Sequence, residues 1–115
     1  MYMVMFVLDD PNRLDAVYDA WEAIGVSGST IIESTGINRR RAARQVGTSF
    51  MAGMNRLIGS EMEGHYTLLV IVPDETLARA CLTAVEKVIG DLDAPNTGIL
   101  AAWPLSFVKG VPSQR

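Results

Sequence analysis

The chain has 115 residues, 49% apolar and 20% charged, with a net charge of −3. That is one domain with enough apolar material for an ordinary core, and it argues against a disordered chain. No apolar run approaches the ~20 residues of a membrane span, and the lone Cys81 excludes an intrachain disulfide framework, so a cytoplasmic setting is expected.

Tyr2 to Leu8 is a nearly continuous apolar run, the pattern of a strand buried on both faces rather than of a signal peptide. Asp9-Asp10-Pro11 supplies an acidic cap and a proline at the first helical turn, where its missing N–H costs nothing. Leu14, Val17, Tyr18 and Trp21 then recur at i, i+3, i+4 and i+7, one face of a helix that Gly25 stops. Thr30-Ile31-Ile32-Glu33 reads as a second strand, ended by Gly36.

Residues 37–64 follow, 28 residues without a convincing strand. A compact domain rarely carries so long a connection unless the loop itself works or is disordered. The stretch holds Arg39, Arg40, Arg41, Arg44 and Arg56 against Glu61 and Glu63. Its charge is therefore +3, and the rest of the chain carries −6. A basic loop on an acidic body suits phosphates, acidic protein surfaces or anionic lipid, whereas a duplex-DNA binder usually has a basic domain. Ala43, Val46, Phe50, Met54 and Leu57 step by three and four, so the loop could present an apolar stripe to a partner groove or membrane surface.

His65 to Val72 is the third strand. Asp74 caps a second helix whose apolar face is Leu77, Ala80, Cys81, Ala84, Val85 and Val88, and Gly90 ends it. Asp91 to Thr97 is turn-forming, and a fourth strand lies around Ile99 to Leu105. The order β-α-β, long loop, β-α-β implies an α+β fold, a ferredoxin-like split βαβ with both helices on one sheet face. The other face would be too apolar to stay wet, so self-association is expected to cover it. Residues 1–115 form the single domain, with 37–64 as a segment within it.

No catalytic constellation appears, and one histidine with one cysteine makes a metal site from one chain improbable. The chain does not read as an enzyme. Arginine forks suit phosphate oxygens, which makes Arg39, Arg40 and Arg41 the candidate anion contacts. Gly36 and Gly98 could let a ligand approach the main chain.

Gly25-Val26-Ser27-Gly28-Ser29-Thr30-Ile31-Ile32-Glu33, followed by Gly36-Ile37-Asn38-Arg39, resembles the PII signal-transduction proteins of nitrogen regulation. Their first half runs G-[IV]-x-G-x-T-[VI]-x-E-x-x-G-x-G-R before a long T-loop. The resemblance implies a homotrimer that binds an adenine nucleotide in clefts between subunits and uses the loop to control a membrane transporter or an enzyme. It implies an effector site of Thr30, Gly36, Asn38, Arg39, Arg40, Arg41 and Gly98, with ATP, ADP, AMP or a cyclic dinucleotide as regulatory ligand and no permanent cofactor. The family's T-G-x-x-G-D-G-K segment corresponds to residues 90–99 here, which lack lysine, and of its C-terminal phosphate-binding arginines only Lys109 could be a substitute. Val46, Phe50, Met54 and Leu57 would then dock on the target. The alternative is a protein- or membrane-docking adaptor with no small-molecule site.

Overall fold

The computed structural model describes residues 1–34 and 65–111. They form four strands, β1 (Tyr2–Leu8), β2 (Thr30–Ser34), β3 (His65–Val72) and β4 (Gly98–Pro104), and two helices, α1 (Leu14–Ala23) and α2 (Glu75–Ile89). The strands lie in the order β2-β3-β1-β4, every neighbouring pair antiparallel. This α+β arrangement is compatible with a ferredoxin-like sheet.

Local chemistry sets the helix ends. Asp10 accepts a hydrogen bond from the Asn12 amide and opens a short 3-10 turn over Pro11–Arg13 that feeds α1. At the other end Gly25, at φ +87°, lets its own amide bond Glu22 and the Val26 amide bond Trp21. This pair of bonds satisfies the last carbonyls of the helix and turns Val26 into the core. Asp74 caps α2 by accepting the Leu77 amide at 2.8 Å, and Gly90 ends it at φ +104°.

The core lies between the sheet and the helix layer. Val4, Phe6 and Leu8 of β1 and Leu68, Val70 and Val72 of β3 are closed over by Val17 and Trp21 of α1 and Ala78, Cys81, Ala84 and Val85 of α2. Each fully buried Val, Leu or Phe contributes about 1.5–3 kcal/mol of transfer free energy. Trp21 Nε1 donates to the Cys81 carbonyl at 3.2 Å, so the largest buried side chain also satisfies its one polar group.

The first strand corrects the expectation from sequence. It is buried on alternate residues only, because both helices cover one face of the sheet and no described helix covers the other. Met3, Met5 and Val7 lie on that open face, in register with Ile71, Leu69 and Thr67 on one side and Trp103, Ala101 and Ile99 on the other. Ile32, Ile99 and Trp103 are there 45%, 65% and 41% exposed. Tyr18, placed on the core face of α1 by spacing, sits at its margin and is exposed. Among the described residues no helix is long and apolar enough to cross a membrane.

Candidate functional site

Thr30 opens β2, directly across from Leu69. The turn before it contains Gly28 at φ +78°, a left-handed conformation that costs glycine nothing. Thr30 and Gly28 form one wall of a cavity of about 350 Å3, and Met3, Leu69 and Ile71 of the open face form its floor. The tail returns as Gly110, at φ +96°, and Val111 to close the far side. Lys109, exposed, directly precedes that wall. Between Gly28 and Thr30, the Ser29 hydroxyl oxygen is shielded from solvent and has no hydrogen-bond partner among the described residues. A buried unpaired hydroxyl costs about 1–3 kcal/mol, which is unusual enough to ask what satisfies it.

The cavity offers an apolar floor, one threonine hydroxyl and two glycine backbones. It can hold a flat or apolar group by contact and read its edge by hydrogen bonds. Among the described residues no carboxylate lines it. Gly36, Asn38, Arg39, Arg40 and Arg41, expected to supply the anion contacts, lie outside the described residues, as do Val46, Phe50, Met54 and Leu57.

Gly98 sits elsewhere. β2 and β4 are the two outermost strands, so three strand spacings of about 4.8 Å separate them, and one chain does not bring Thr30 and Gly98 together. Packing accounts for this glycine. At φ +138°, a Cβ would stand 2.5 Å from the Val7 carbonyl oxygen and 2.9 Å from the Phe6 ring.

At the opposite end of the open face His65 Nε2 lies 3.1 Å from Asp9 Oδ1. The pair lines a cavity of about 260 Å3 with Asn96, Thr97 and Gly98. The sequence showed both residues but not their meeting. The signal was available: in a sheet where the first and third strands are antiparallel neighbours, the end of one meets the start of the other. Among the described residues no three His, Cys, Asp or Glu side chains gather as a metal site would require. Burial pushes the Cys81 thiol up to about 11, which makes it a core residue and not a nucleophile.

No family model matches the sequence, and no curated protein matches it.

Proposed function

We propose that the chain is a PII-like regulatory protein with a ferredoxin-like sheet, working in the cytoplasm as a homotrimer built on the open sheet face. A small anionic effector, an adenine nucleotide in the first instance, occupies the cavity beside Thr30. The observation that carries the reading is this cavity itself: a pocket on the rim of an apolar sheet face, walled by Thr30 and Gly28 on one side and by Gly110 and Val111 on the other. A neighbouring copy packed on that face closes the cavity into a cleft between subunits. The effector's ring lies on Met3, Leu69 and Ile71, and the Thr30 hydroxyl bonds its edge. Lys109 and the Asn38–Arg41 segment hold its phosphates. Effector binding then shifts the population of residues 37–64 between partner-competent and free states, and no bond of the ligand is broken.

Among the described residues no carboxylate lines the cavity, which fits an anion, whose phosphates a nearby Asp or Glu would repel. Thermal unfolding against ATP, ADP, AMP and cyclic dinucleotides tests the proposal. A ligand at 100 times its dissociation constant stabilises by about 2.7 kcal/mol if it binds only the folded state. At about 4 °C per kcal/mol for a chain of this size, the shift is about 10 °C. It is expected to vanish in Arg41→Ala and to shrink in Thr30→Val. No shift with any nucleotide, or a shift that both variants retain, overturns the reading.

A further inference from the structure

β4 is an edge strand, with β1 its only hydrogen-bonded neighbour among the described strands. Its sequence, Gly98-Ile99-Leu100-Ala101-Ala102-Trp103-Pro104, contains no charged residue. Edge strands are normally protected by lysines, bulges or inward charges, because their outer row of N–H and C=O groups pairs with any extended chain. Among the described residues only the terminal Pro104 supplies such protection. The strand also leans on a groove of about 760 Å3 between α2 and the sheet, floored by Leu82, Leu92 and Leu100. At the Gly98 end its rim carries Glu86, Asp91 and Asp93, and among the described residues no basic one lines it.

We infer that this edge takes up an extended basic peptide segment of a partner protein, added to the sheet as a fifth strand. The main chain of the peptide pairs with the outer edge of β4, antiparallel as every other pairing in the sheet is. Alternate side chains then enter the groove over Leu100 or lie beside Ile99 and Trp103 on the open face. In this direction the C-terminal end of the peptide reaches Gly98, which has no side chain to fill the space. An arginine or lysine there meets the three carboxylates. Charge selects the partner: an acidic or phosphorylated segment is repelled by the rim that attracts a basic one. The inference does not rest on the effector reading, since the two sites occupy opposite edges of the sheet.

Fluorescence anisotropy decides it, using a labelled seven-residue peptide of alternating valine and threonine that ends in two arginines. Saturable binding is expected, about tenfold weaker when the arginines are glutamates and about tenfold weaker for the Asp93→Lys protein. Asp93 supports no other group through its side chain in the described structure, so the variant should melt with the wild type. A peptide N-methylated on alternate amides, unable to pair with the edge on one side, should lose binding in one of its two registers. No saturable binding, binding indifferent to peptide charge, or binding retained by both N-methylated registers overturns the inference. So does sedimentation showing that a second copy occupies β4, with Asp93→Lys changing the assembly and not the peptide affinity.

Discussion

Replacing Gly98 with alanine probes the junction between β4 and the central strand. Two costs arise. The residue sits at φ +138°, outside the regions open to an L side chain, which costs of order 1–3 kcal/mol. The new Cβ also falls 2.5 Å from the Val7 carbonyl oxygen, backbone that cannot swing aside, and 2.9 Å from the buried Phe6 ring. Overpacking of that kind costs about 1–3 kcal/mol. Together they predict about 4 kcal/mol of destabilisation, or about 16 °C in Tm at about 4 °C per kcal/mol. Gly25→Ala is the internal control, because φ is +87° there but nothing lies within 4 Å of its Cβ. It carries the conformational cost alone, about 1 kcal/mol. Urea unfolding followed by tryptophan fluorescence reads both, with an unchanged m-value showing that the unfolded state is the same. If Gly98→Ala costs no more than Gly25→Ala, the close approach of β4 to β1 is not a constraint and the reasoning fails.

The remaining predictions concern the core and the helix ends. Asp74→Ala removes the 2.8 Å bond to the Leu77 amide and should cost about 1 kcal/mol by urea titration, with Asp74→Asn close to wild type. Cys81 is buried with its thiol pushed up to about 11, so a thiol reagent at pH 8 should react only as fast as the protein unfolds. The same burial makes stability depend on alkaline pH. The folded thiol keeps its proton where the unfolded one loses it, so stability holds below about pH 8.5 and falls as pH rises toward 11, by about 3 kcal/mol at most. Cys81→Ala should flatten that slope, as measured by urea midpoints across the range. Trp21→Phe deletes the bond to the Cys81 carbonyl and should cost about 1–3 kcal/mol, seen as a lower urea midpoint.

Much of the architecture was legible in the sequence because each element carries its own punctuation. Asp10 and Pro11 open the first helix and Gly25 closes it; Asp74 and Gly90 do the same for the second. The 3.6-residue period found Val17, Trp21, Cys81, Ala84 and Val85, all buried. What misled was Tyr2 to Leu8: an uninterrupted apolar run looks the same whether its second face meets helices or lies open. That the tail returns as Gly110 to wall a cavity beside Thr30 is visible only in the fold. The pairing of Asp9 with His65 and the acid-rimmed edge of β4 depend on which strands are neighbours, and no local pattern encodes that.

Native mass spectrometry of the purified protein, with and without the nucleotide that raises Tm most, tests the central claim directly. The expected species has three chains of 12.5 kDa each, about 37.5 kDa, and takes up as many as three nucleotides. A 12.5 kDa monomer that binds none would contradict the claim.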